Sequence, residues 1–258
     1  MKNYLALMEK VLSQGDFRVD RTKIGTFALF GETLSFDLTK GFPAVTTKKL
    51  FFDSVKAELA GFLEATTRVE RMQELGTSIW NANAKNGELG KIYGYQWRKW
   101  NGYLDQLQTT VDQIIVNPTS RRHIVTAWNH SELNEMCLPP CHTHFQFFVR
   151  KNFLDCIFYM RSVDIFLGMP FDIASYALLT HIVAQDTGLT PGNLTGMFAD
   201  CHLYANHLEQ AKIQLTRPPY PAPILHLDKN AGINNFSPKM AFLLGYISHD
   251  KIIAPMAV

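Results

Sequence analysis

Two short runs within residues 138–176 concentrate the side chains suited to covalent chemistry. Leu138-Pro139-Pro140-Cys141-His142 sets a thiol behind two prolines, and Thr143-His144-Phe145-Gln146-Phe147-Phe148 then reads as a strand. Prolines fix the backbone and remove donors, so Cys141 stands at a stiff strand entrance. The ordinary alternative is a small buried hydrophobe. Converging cations lower a thiol's pKa, and Arg121-Arg122 and Arg161-Ser162 are available for that purpose. A Cys-His hydrolase would need its base on the thiol's side. Neighbouring strand residues point to opposite faces, so His142 is badly placed to be that base.

Ser120-Arg121-Arg122 precedes one apolar run and Arg161-Ser162 closes another. Guanidinium forks with a hydroxyl at strand ends suit a phosphate dianion; the alternative is solvated surface charge. Arg21, in Asp20-Arg21-Thr22, is a further contributor. Four arginines exceed what one monophosphate needs from one chain, so a partner subunit is expected to supply some. Glu58 lies on an apolar helix and is either turned to the surface or a buried acid with a raised pKa. His202-Leu203-Tyr204 suits a sugar hydroxyl, or is a structural pair.

These residues need elements to position them. Residues 1–15 read as an amphipathic helix and not as a signal peptide. Residues 26–38 alternate around Gly31-Glu32, which predicts a hairpin. Helices are expected over 51–64, with Val55, Leu59 and Phe62 on one face, and over 107–116, ended by Asn117-Pro118. Residues 123–128, 143–150 and 154–161 look like strands. Residues 171–187 are apolar nearly all round, as in a helix buried in the core. A last strand over 223–227 precedes a tail at 251–258.

The 258 residues, 47% of them hydrophobic, suffice for one core burying very roughly three quarters of the unfolded surface. No repeat or linker divides them, so one domain over 1–258 is expected. No apolar run approaches the roughly 20 residues that span a bilayer. A net charge of +2 is too small to argue for nucleic acid as a partner. The four cysteines show no CxxC spacing and no disulfide framework, which suits reduced thiols in a cytoplasmic enzyme without a metal. No GxGxxG or Walker loop is present. Strands and helices mix without a regular βαβ repeat, and an α+β fold around a mixed sheet follows.

The order of motifs resembles the thymidylate synthase family from end to end. The matching segments begin with Asp20-Arg21-Thr22, Phe42 through Lys48, Glu58-Leu59, Ile79-Trp80 and Gly90 through Trp97. Ser120-Arg121-Arg122, Pro140-Cys141-His142, Arg161 through Tyr176, Asp200 through Tyr204 and Ala254-Pro255-Met256-Ala257-Val258 complete the set. The resemblance implies a thymidylate synthase-like fold, a mixed sheet flanked by helices, and a homodimer through the sheet. It implies that Cys141 adds to C6 of a pyrimidine nucleotide, Glu58 is the acid/base working through water, and Tyr93 assists removal of the C5 proton. Arg21, Arg161 and Ser162 would bind the 5′-phosphate, with Arg121 and Arg122 reaching across from the other subunit. His202 and Tyr204 would hold the 3′-hydroxyl. The cofactor would be 5,10-methylenetetrahydrofolate, with Asp164 on its pterin. Lys48, Trp80, Gly168 and Phe171 belong to the same pocket, and Val258 to a segment that closes over it. A thiolate at C6 makes C5 nucleophilic, splitting one hard step into easier ones. The exocyclic methylene then left at C5 gives methyl with hydride and hydroxymethyl with water.

Three positions depart from the family's pattern. Asp172 stands where thymidylate synthases use Asn to read uracil. Cytosine shows a donor at N4 and an acceptor at N3, which a carboxylate meets by accepting from the amino group, with a proton shared at N3. Ionised Asp172 facing uracil O4 would oppose two acceptors, costing on the order of 1–3 kcal/mol. The same exchange marks the deoxycytidylate hydroxymethylases of this superfamily. Met160 replaces the usual Gln, and the loop after Trp80, Asn81 through Asn86, lacks a second tryptophan. The expected substrate is therefore dCMP, and the expected product 5-hydroxymethyl-dCMP. Trp80 and the Ala-Pro-Met-Ala-Val tail keep closure that excludes water, so methylation of dCMP is the alternative, and plain dUMP methylation a third.

Overall fold

The chain begins with α1 (Lys2–Gln14), whose Tyr4, Leu7, Met8 and Val11 recur at helical spacing and are buried. The computed structural model describes residues 1–256. Strands β1 (Asp16–Arg18) and β2 (Thr26–Asp37) follow, and then α2 (Phe52–Leu63), α3 (Val69–Leu75), α4 (Tyr93–Lys99) and α5 (Gln106–Val116). Next come β3 (Ile124–Thr126), β4 (His142–Arg150), β5 (Phe153–Asp164), α6 (Met169–Asp186) and β6 (Thr190–Tyr204). Helix α7 (Leu208–Leu215) leads to β7 (Ile224–Leu227) and β8 (Ala241–Leu244).

Six strands form one mixed sheet in the order β1-β2-β6-β5-β4-β3. Its single parallel pair is β5 with β6, which requires a crossover; α6 supplies it. The other pairs are antiparallel. Helix α6 packs against β5 and β6 on one side and α2 on the other. That double coverage is why its sequence is apolar around the whole circumference, with Ile173, Leu178, Ile182 and Val183 all fully buried. The fold is α+β, a mixed six-strand sheet with helices. Among the described residues no helix is long and apolar enough to cross a membrane.

Residues 26–38 correct the expected hairpin. β2 runs unbroken along β6, with Phe30 opposite Asp200 and Glu32 opposite Phe198. Gly31 at φ +88° bends the strand without reversing it, a conformation open to a residue lacking Cβ. β6, the strand that templates β2, had no counterpart in the sequence reading. Pro191, Gly192, Asn193 and Gly196 break its apolar alternation and read as loop. Two further boundaries move: the 123–128 run yields only Ile124–Thr126, and β7 is not the last strand, since β8 pairs with it in a separate two-stranded sheet.

Candidate active site

Cys141 sits immediately before β4, where β4 meets the end of β5. The Arg161 backbone N–H donates to Cys141 O at 2.8 Å. Its guanidinium donates to Pro140 O at 2.8 Å and Pro139 O at 3.0 Å, with Nη2 at 3.9 Å from Cys141 Sγ. One arginine thus staples the Pro-Pro-Cys entrance and faces the thiol. Burial pushes the thiol's pKa up; Arg161 and, more weakly, Arg21 pull it down, while Asp172 adds to the rise. The net shift is upward: Arg161 lowers the thiol's pKa as converging cations should, but desolvation outweighs it. Arg121 and Arg122 are exposed in the turn before β3.

Tyr93, the first residue of α4, receives the Cys141 backbone N–H on its phenol oxygen at 2.8 Å. Its ring packs on Phe62 of α2 at 5.2 Å and stacks on His142 at 3.8 Å. Burial raises the phenol's pKa well above normal, and the charges of Cys141, Asp172 and Glu58 add to it. All four groups therefore share one electrostatic neighbourhood. His142 Nδ1 lies 2.8 Å from Tyr176 Oη, and burial drops its pKa to about 3. This imidazole is a neutral wall for Tyr93, and not a base for Cys141.

Glu58 resolves as the partly buried acid. Trp80 Nε1 donates to its Oε1 at 2.8 Å, and burial, partly offset by that bond, raises its pKa to about 7. Asp172 lies in the first turn of α6, and its carboxyl makes no hydrogen bond among the described residues. Burial first, then the negative charges of Glu58 and Asp164, raise its pKa well above the carboxylate range. Two neighbouring carboxyls and low solvation disfavour a further negative charge there.

Pairing of β5 with β6 sets Ser162 beside Asp200 and Asp164 beside His202. His202 Nδ1 is 3.0 Å from Asp200 Oδ1, and Arg18 Nη1 donates to Asp200 Oδ2 at 3.1 Å. The Tyr204 ring stands edge-on to His202 at 5.1 Å, its phenol pushed to about 12 by burial. Arg21 is exposed in the loop between β1 and β2.

Folate is expected at Asp164, Gly168, Phe171, Trp80 and Lys48. Asp164 Oδ1 accepts the backbone N–H groups of Phe166 at 2.8 Å and Leu167 at 3.1 Å. Among the described residues its Oδ2 has no donor within hydrogen-bond distance, His207 Nδ1 being 3.8 Å away, which leaves it able to accept from a pterin. Gly168 borders both carboxyl residues: a Cβ there would stand in ordinary contact with Asp164 O at 3.4 Å and Asp172 Oδ2 at 3.6 Å. Trp80 is buried and Phe171 partly so, offering aromatic surface for a flat ring. Lys48 turns inward instead: it donates to Phe166 O, its ammonium lies 3.9 Å from the Phe166 ring centre, and burial lowers its pKa to about 8. It supports the Phe166 turn from inside. Val258 lies outside the described residues. The set fits the cofactor.

The sequence reading missed Tyr176, Asp200, Arg18 and His207 as members of this constellation. Tyr176 and Asp200 stood within runs already singled out; His207 follows His202-Leu203-Tyr204 by a few residues and was the one available signal. A family model described as thymidylate synthase matches residues 2–258.

Proposed function

The chain belongs to the thymidylate synthase family, and from that premise we propose that it converts dCMP to 5-hydroxymethyl-dCMP. Membership gives folate-dependent one-carbon transfer to C5 of a pyrimidine nucleotide, with a methylenetetrahydrofolate-type cofactor. The choice of dCMP rests on one observation: a carboxyl, Asp172, with no hydrogen-bond partner among the described residues and a pKa pushed well above the carboxylate range by burial, in the neighbourhood of Cys141, Tyr93 and Glu58.

Neutral Asp172 donates its O–H to cytosine N3 and accepts from the 4-amino group, a two-point match. When Cys141 sulfur bonds to C6, electron density flows through C5 and C4 toward N3. The Asp172 proton moves to N3 at that moment, so the carboxyl stabilises the adduct and not only the bound base. Uracil carries a hydrogen on N3 and only the weakly basic O4 beside it. The Asp172 proton has no comparable acceptor there, which sets the discrimination.

Tyr93, held against Cys141, assists loss of the C5 proton, and Glu58 near pKa 7 exchanges protons through water. Bound methylenetetrahydrofolate supplies the one-carbon unit, and water supplies the oxygen of the hydroxymethyl product. Arg161, Arg21 and Ser162 hold the 5′-phosphate. His202 and Tyr204 hold the 3′-hydroxyl of a deoxyribose. The single catalytic domain acts as a homodimer, with Arg121 and Arg122 completing the partner's phosphate site. Support for the dimer is the sheet face opposite α6, which exposes Phe148 (56%), Ile157 (36%) and Met197 (41%); such contiguous apolar surface marks an interface.

A second reading, a methyl product formed with hydride from the folate, is favoured by buried Trp80 and its bond to Glu58. Purified protein with dCMP and labelled methylenetetrahydrofolate separates the two. A hydroxymethyl mass increment with tetrahydrofolate supports the first, and a methyl increment with dihydrofolate the second.

A further inference from the structure

His207 is fully buried in the short turn between β6 and α7. Its Nε2 lies 2.7 Å from Pro255 O. A carbonyl oxygen only accepts, so Nε2 bears the hydrogen. Nδ1 then has no hydrogen-bond partner among the described residues and points to Asp164 Oδ2 at 3.8 Å. The rings of Phe166 and Tyr204, each 5.6 Å away, fix the plane of the imidazole.

The C-terminal segment is tied down upstream by His249 N–H donating to Thr46 O and by Arg217 donating to Asp250 O at 2.7 Å. Beyond Asp250, the bond from His207 is the one hydrogen bond that residues 251–256 make among the described residues. We propose that His207 is a positioning residue: it seats the tail through Pro255, on the side of Asp164 where the pterin is expected. Naming that side as the folate side rests on the function proposed above; the anchoring of the tail does not. Nucleotide binding, which uses the Arg161 and Ser162 end, is independent of it.

The test compares His207→Phe, which fills the space without a donor, with His207→Gln, whose amide can still donate to Pro255 O. Trypsin release of residues 252–258 from the free protein is followed by intact mass. Loss of one buried hydrogen bond is expected to speed release about tenfold in the Phe variant, with the Gln variant near wild type. KM for methylenetetrahydrofolate is expected to rise in the same order, with Kd for the nucleotide unchanged. Release at the wild-type rate in His207→Phe overturns the proposal. So does equal acceleration in both variants, or a loss of nucleotide affinity matching the change in KM. If release behaves as expected while dCMP is not turned over, the tail anchor stands and the substrate reading fails.

Discussion

Two carboxyls near the thiol carry opposite demands. Asp172 must keep its proton for cytosine, while Glu58, near pKa 7, must give and take one. Asp172→Asn retains a donor and an acceptor but loses the movable proton. We expect its selectivity, the ratio of kcat/KM for dCMP to that for dUMP, to fall by roughly 10²-fold or more; an unchanged ratio would remove Asp172 from the account. Glu58→Gln keeps the Trp80 bond and loses proton exchange, so kcat is expected to drop about 10²–10⁴-fold. Stability should move the other way. A carboxyl pKa raised from 4.5 to about 7 means the folded state binds the proton more tightly than the unfolded chain. Wild-type stability from this group is complete below about pH 4.5 and lost as pH rises through about 7, roughly 2–4 kcal/mol. Calorimetry should show Glu58→Gln melting above wild type at about pH 8, with the gap narrowing as pH falls toward about 5.

The elements explain how those groups meet. α4 delivers Tyr93 to Cys141 only because α4 and α2 approach closely at Gly94, where a Cβ would stand 2.2 Å from Phe62 O. Gly94→Ala must push α4 off α2, and with it Tyr93 off the thiol. We expect about 1–3 kcal/mol of destabilisation in denaturant unfolding, together with lower activity. Elements with strong periodicity, such as α1, α2, α5 and α6, were legible, as were β4 and β5. β2 was misread as a hairpin and β6 was passed over, since alternation along one strand says nothing of its partner. The site was legible as residue types in order. Its electrostatics were not, because the upward shifts of Cys141 and Asp172 come from burial, which only the packed fold creates.

At the scale of the whole molecule, Arg121 and Arg122 stand exposed on the surface of their own chain. In the proposed dimer each protomer lends them to its partner. Arg122→Ala and Cys141→Ala proteins, each impaired alone, should regain activity when mixed under subunit exchange, because one hybrid site then holds both groups. Mixtures no more active than the separate proteins, with exchange verified by mass, would place both residues in one chain's site.

Substrate choice is read most directly by competition. Equimolar dCMP and dUMP are given to the wild-type protein with labelled methylenetetrahydrofolate, and the nucleotides are separated as label accumulates. The expected result is label on the cytosine nucleotide, with dUMP left unmodified. Label on the uracil nucleotide alone would contradict the role given to Asp172.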